Sequence, residues 1–308
     1  MILREIKTKI NSTKRISQVA KALELVSATK MKKAQRIALS SRPFAQKVVA
    51  ILNRLTKSQR KYLLKKSFYF QENNSEKILA VVVSSDKGFC GSFNQNILRF
   101  AEKEIKEIEK EAEVDIMAIG KKAINYFKRK NHQVSVEFIG IGDYGKFDEV
   151  KPIADLFLRY FNEARYRKIY LFYTDFVSSF SQKPTKIQVL PLSSEEFEKI
   201  LEKTTLAGVR EKEAIEEEKA EKTPDYIYEN SAEMVFNGLV PLLVEFEIYQ
   251  AILEANASEH SARMMAMKNA SQNAKDVIND LTLEYNKARQ DQITSEISEI
   301  SSAKEAVQ

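Results

Sequence analysis

Two glycine-bearing turns hold the residues in this chain whose spacing comes nearest to chemistry. The first lies in VVVSSDKGFCGSFNQNI (Val81 to Ile97), where a β-branched run passes through Gly88 and Gly91 into a helical segment. A strand, a glycine turn and a helix N-terminus can together cradle a phosphate on backbone N–H groups. A Walker loop, however, needs G-x-x-x-x-G-K-[ST], with a lysine on the phosphates and a hydroxyl on magnesium. Here the glycines are three apart, and Gly91 is followed by Ser92 and Phe93, with no lysine. The second turn, GIGDYG from Gly140 to Gly145, matches G-x-G-x-x-G letter for letter. A dinucleotide loop opens the first βαβ unit, and an acid about 20 residues on ends the next strand. This match falls at the third strand candidate, and the acid ending the next strand, Asp175, is too distant. Pro152 is also expected to delay the helix that should start at the loop. Both turns are read as structural.

Other candidate chemistry is sparse. The two histidines, His132 in a polar loop and His260 in the C-terminal region, are far apart in sequence. No His, Asp or Glu cluster has metal-ligand spacing. The single cysteine, Cys90, excludes an intramolecular disulfide and a Cys-based zinc cluster, and it reads as a buried structural thiol. Carboxylates lie among lysines on helix faces, as on salt-bridged surfaces. The expectation is no catalytic residue, no metal and no cofactor.

The elements that would carry these turns occupy the middle of the chain. KILAVVVSS, VDIMAIG, QVSVEFIGI and KIYLFYTDF are buried-strand candidates, and helical spacing fills the gaps between them. This βαβα order predicts a Rossmann-like α/β domain over residues 77–192, with a mostly parallel sheet and helices on both faces. A further strand, KIQVLPL, follows, and then a charged helix from near Ser194 and an acidic run from Glu211 to Glu221 make a connecting segment over 193–230.

Glycine marks the boundaries. All 8 glycines lie between Gly88 and Gly238, so both ends are free of the residue that costs a helix about 1 kcal/mol. The N-terminal region (1–66) reads as helix from about Ile2 to Leu55, roughly 80 Å at 1.5 Å per residue. Ile16, Val19, Leu23 and Val26 are taken as its packing stripe, continued by Ala28, Met31, Ala34 and Ala38, and Pro43 as a local bend. In the C-terminal region (231–308), Met264, Met267, Ser271, Ala274, Ile278, Leu281, Tyr285 and Ala288 alternate steps of three and four. That is a heptad seam. Ile293, Ile297 and Ile300 continue an apolar stripe, and Pro241 is expected to kink the helix or mark its start. An antiparallel coiled coil of the two terminal helices is favoured over a homodimeric one.

Charge is uneven. Residues 1–66 carry 18 Lys or Arg against Glu5 and Glu24, a net +16, whereas the whole chain is +6. Such an arm suits an acidic partner. Single-strand nucleic-acid binders interleave aromatics, and only Phe44 and Tyr62 precede Phe68, so nucleic acid is not expected. No apolar run approaches the roughly 20 residues of a membrane span. The segment MILREIKTKI breaks its apolar residues with charges and is not read as a signal peptide. From residues alone nothing argues for an enzyme in its own right, and a nucleotide-binding α/β protein with coiled-coil arms stands as the alternative.

Several stretches do resemble a known family. IKTKINSTKRISQVAKALELVSATKMKKAQ (Ile6 to Gln35) is similar to the N-terminal helix of the γ subunit of F-type ATP synthases. SSDKGFCGSFNQNI resembles that family's turn after its first strand. DYIYEN, ASEHSARMMAMKNASQNA and YNKARQDQITSEISEI resemble its C-terminal region in order. The resemblance implies a non-catalytic rotor subunit of the proton-transporting ATPase, with its terminal helices turning inside a ring of α and β subunits. It implies that Arg263, Arg289, Gln290 and Thr294 meet β-subunit loops, and that the basic N-terminal helix faces acidic β loops. Tyr226 and Glu229 would lie near the ε subunit and the c ring. The implied location is the cytoplasmic face of a bacterial cell membrane, held peripherally.

Overall fold

The apolar runs of the middle segment form five strands. They are β1 (Lys77–Val83), β2 (Glu113–Ile119), β3 (Val134–Phe138), β4 (Lys168–Phe176) and β5 (Gln182–Leu190). The computed structural model describes residues 2–53, 57–142, 145–193, 197 and 231–307. The sheet order is β3-β2-β1-β4-β5, with β1 through β4 parallel and β5 antiparallel to β4. Central β1 buries every side chain after Lys77, as a strand covered on both faces must.

Strand alternation sorts these side chains into two layers. Ala80 and Val82 pack with Phe172 beneath helices α3 (Phe93–Ile108) and α4 (Lys121–Arg129), which supply Ile97, Ile105 and Phe127. Leu79, Val81 and Leu171 face the other way, onto helix α5 (Phe147–Asn162), which supplies Ile153, Phe157 and Phe161. This second layer also takes in parts of the two long helices, α1 (Ile2–Asn53) and α6 (Ala232–Val307), beside the short α2 (Lys57–Lys66). Pro152 sits inside α5, so the helix begins two residues after Gly145 and is not delayed. Pro241 likewise lies inside α6, which starts at Ala232; it does not mark the start.

The chain divides into two compact units, Met1–Thr29 with Arg263–Gln308, and Lys30–Ala262. In the larger unit the terminal helices run antiparallel. Ser179 touches Met31 on one side and accepts a hydrogen bond from Ser261 on the other. Further along α1, Gln250 reaches Ala38 and Ser41, and Lys66 of α2 pairs with Glu233 at 2.8 Å. In the smaller unit, the Ser17 hydroxyl lies 3.3 Å from the Ser271 carbonyl, and the Ser271 hydroxyl 3.4 Å from the Ser17 carbonyl.

The seam of α1 is not the stripe expected from its large aliphatics. Its buried positions, apart from Val49 beside them, are Ile6, Ile10, Ser17, Ala20, Ser27, Met31, Ala34, Ala45, Val48 and Leu52, with Thr13, Glu24, Ala38 and Ser41 half-buried between them. Together they alternate steps of four and three along the helix, which is a heptad repeat. Of the expected stripe, Ile16, Val19 and Val26 are 58%, 60% and 50% exposed, and Leu23 is half-buried. The physical reason is local side-chain size: where Ser17, Ala20 and Ser27 hold the seam two backbones can approach closely, and the larger Ile16, Val19 and Val26 lie on the next face. On α6 the expected seam holds, with Met267, Ser271 and Ala274 buried, and Met264, Ile278, Leu281, Tyr285 and Ala288 half-buried.

Helix α6 contains an 18-residue window of mean hydropathy 1.3, apolar enough by composition to cross a membrane. Its early residues Phe236, Val240, Leu243, Val244 and Ile248 are buried in the sheet unit, so this is a core helix. The helix expected near Ser194, the acidic run from Glu211 to Glu221, and Tyr226 and Glu229 lie outside the described residues.

Candidate functional site

In an open α/β sheet a ligand binds beyond the carboxyl ends of the strands. Here that edge is filled by the protein's own carboxylates. The first residue of α4, Lys121, donates its backbone N–H to Asp86 Oδ1 at 2.8 Å, and Gly140 donates to Oδ2 at 2.9 Å. The Ser84 hydroxyl accepts the Ala123 N–H at 2.8 Å. Gly120 has φ +93°, and a Cβ there would come 2.2 Å from the Ser84 carbonyl oxygen, so only glycine fits. At the second turn, Glu149 Oε2 accepts the Gly142 N–H at 3.0 Å and the Lys146 N–H at 3.4 Å. The second turn and the start of α4 thus have internal carboxylates on N–H groups that an external phosphate would need as donors.

The opening turn is tied down by a neutral side chain instead. Asn94 Oδ1 accepts the Ser85 N–H at 3.0 Å, while Asn94 Nδ2 approaches the buried Cys90 sulfur at 3.1 Å. The space left over is a cavity of about 30 Å³, lined by Ser84, Asp86, Gly120 and Gly140 and by Ile252, Asn256 and Glu259 of α6. That is far below the several hundred Å³ of a typical small-molecule site. Phosphate-loop motifs give no weight to acids next to the turns. The informative residues were Asp86 and Glu149, acids beside each turn.

A charged cluster on the opposite layer joins α3 to α4. The Tyr126 hydroxyl donates to Glu102, which also receives Lys106 at 3.0 Å and Lys130 at 3.3 Å. The tyrosine hydrogen bond, reinforced by both lysines, holds the Glu102 carboxyl down at about 2. Burial and the same hydrogen bond push Tyr126 up to about 12. These are structural pairings between helices.

The surface of the long helices is different in kind. Beyond Ala288 every described side chain of α6 through Ile300 is exposed. Arg289, Gln290 and Thr294 lie together in that stretch, beside Ile293, Ile297 and Ile300 at 46%, 59% and 70% exposure. Arg263 is set apart from them and is only 7% exposed. On α1 the outward face mixes Lys7, Lys14, Arg15 and Lys21 with the exposed Ile16, Val19 and Val26. That mixed basic and aliphatic surface went unread in the sequence because its aliphatics were placed in the seam.

Comparison with known proteins bears on this pair of helices and the closed sheet alike. The family model for ATP synthase matches residues 2–307. The ATP synthase gamma chain of Roseiflexus castenholzii is 38% identical over 306 residues, covering 99% of this chain and 98% of that one. The chain belongs to the ATP synthase gamma chain family. The gamma chain of Pelotomaculum thermopropionicum is 36% identical, covering 97% of this chain and 96% of that one. Among solved structures, the fold is shared with a chain of the Euglena gracilis mitochondrial ATP synthase, solved with its c-ring. That match has a TM-score of 0.61 at 20% identity, over 99% of this chain and 94% of that one. Membership in the gamma chain family makes this a non-catalytic subunit of the complex, its central-stalk rotor, peripheral to a membrane.

Proposed function

We propose that this chain carries the rotation of a membrane c ring to the catalytic β subunits, coupling proton flow to ATP synthesis and hydrolysis. The observation that carries this reading is the contrast along α6. The heptad seam, buried through Ala274 and half-buried beyond, ends at Ala288, and past it, to Ile300, every side chain is exposed. A shaft turning inside a ring needs an intact internal pairing and an outer surface of exchangeable contacts. Exposed polar pairs, each worth about 0–1 kcal/mol, suit a surface that must let go as well as hold.

In this reading Arg289, Gln290 and Thr294 meet β-subunit loops, and the basic face of α1 meets acidic ones. Arg263, being buried, contributes by holding the shaft rather than by first contact. Tyr226 and Glu229 belong to the end that joins the ε subunit and the c ring. The assembly sits on the cytoplasmic face of a bacterial cell membrane. Nucleotide chemistry lies on other chains, in keeping with the internal carboxylates that occupy the N–H groups of Gly140, Gly142 and the first residue of α4.

Reconstitution tests the proposal. Mixed with α and β subunits from the same source, the chain is expected to enter an ATP-hydrolysing complex, and a bead fixed to it should rotate. An active α/β complex that leaves this chain out would overturn the reading. Calorimetry of the isolated chain with ATP is expected to show no micromolar binding.

A further inference from the structure

The turn of α1 at residues 37–43 combines three features that weaken a helix. Pro43 has no N–H for the Leu39 carbonyl, and its ring crowds that same oxygen. The Ser40 and Ser41 hydroxyls donate to the Ile37 and Ala38 carbonyls, both at 2.9 Å, and compete with the helix's own ladder. A turn of this makeup is where a helix bends under load.

Opposite it stands a single side chain of α6. Gln250 Nε2 donates to the Ala38 carbonyl at 3.2 Å and to Ser41 Oγ at 2.7 Å. One amide nitrogen has two hydrogens, so both are used. Ala38 and Ser41 are themselves seam positions, small enough to admit the glutamine. Gln250 projects from a well-anchored part of its helix, since Ile248, Tyr249, Ala251 and Ile252 are all buried in the sheet core. On α6 the interruptions, Gly238 and Pro241, lie more than two turns earlier. The brace therefore ties the weakest turn of one helix to a sound turn of the other.

We propose that Gln250 is a positioning residue for torque transfer, bracing the proline-weakened turn of α1 so that the two helices twist as one. The inference rests on the rotor function proposed above. Without the brace the turn at 37–43 opens more often, and rotation applied at one end is partly absorbed there. Gln250→Leu keeps the volume and removes both donors.

Two measurements test this. In the full-length chain, amide exchange over residues 39–46 is expected to rise roughly tenfold in Gln250→Leu, the effect of losing two hydrogen bonds. In the assembled membrane complex, ATP synthesis driven by an imposed proton gradient should fall several-fold, while uncoupled ATP hydrolysis stays within about twofold. Pro43→Ala restores the missing ladder bond, so adding it to Gln250→Leu should recover both exchange and synthesis. A role in packing alone would not be rescued in this way. Wild-type exchange in Gln250→Leu, or failure of Pro43→Ala to rescue, would overturn the brace. The exchange arm needs no partner chains, so failure of assembly would count against the rotor reading and not against the brace.

Discussion

The sheet core and the helix seam are both buried, yet they are made of opposite materials. Around β1 the fully enclosed side chains are Leu79, Val81, Phe157, Phe161 and Phe172, large groups that remove much apolar area from water. In the smaller unit Ile6, Ile10 and Met267 are buried too, but the facing positions between them hold Ser17, Ala20, Ser271 and Ala274. The core gains by volume and the seam by proximity. One therefore fails when a side chain is shortened, and the other when a side chain is lengthened.

The largest expected effect tests the first half of that contrast. Phe157→Ala leaves a void between α5 and the sheet and should destabilise the Lys30–Ala262 unit by about 3–5 kcal/mol, read from its urea midpoint. The reverse substitution tests the second half. Ser271→Leu drives a branched side chain against Ser17 and should cost about 1–3 kcal/mol, although it adds apolar volume. If it stabilised instead, the seam would be an ordinary hydrophobic interface and the contrast would be lost.

A smaller effect separates the outer layer of the sheet from both. Glu102 is held below its ordinary value of 4.5, at about 2, chiefly by the Tyr126 hydroxyl. The stability it contributes is complete above about pH 4.5 and disappears as pH falls toward about 2. Tyr126→Phe should thus unfold at lower urea than the parent near neutrality, with the two midpoints converging at the acid end. The smallest effect is on the outward face of α1. Val19→Ser should shift stability by less than about 0.5 kcal/mol, since the side chain is 60% exposed, while weakening incorporation into an α/β complex.

This contrast also explains what the sequence made legible. Strands rich in Val, Ile and Leu announce themselves, and KILAVVV and KIYLFYTDF became β1 and β4. The seam of α6 was readable because Met267, Ile278 and Leu281 punctuate its small residues. On α1 the seam passes through Ser17, Ala20 and Ser27, whereas Ile16, Val19 and Val26 lie beside it and outscore it on any hydrophobic count. Apolarity finds buried faces only where burial is achieved with bulk. The closing of the sheet edge was hidden for another reason. It depends on Asp86 meeting Gly140 and on α6 covering the crevice, contacts between residues far apart in the chain.

The end of the seam at Ala288 bears on how the last part of α6 stays ordered. A free peptide of that length would be marginally helical in water, because the first turn must be fixed before any bond is gained. Here the first turns already exist, held against α1, so residues 289–307 need only propagate. Local pairs such as Gln292 with Glu296 at 2.8 Å, and the Thr294 hydroxyl with the Gln290 carbonyl at 2.9 Å, add to each step. Nucleation is thus supplied in one place and used in another. A cut just before Arg289 would release a segment expected to lose its helix, although no contact within that segment had been touched.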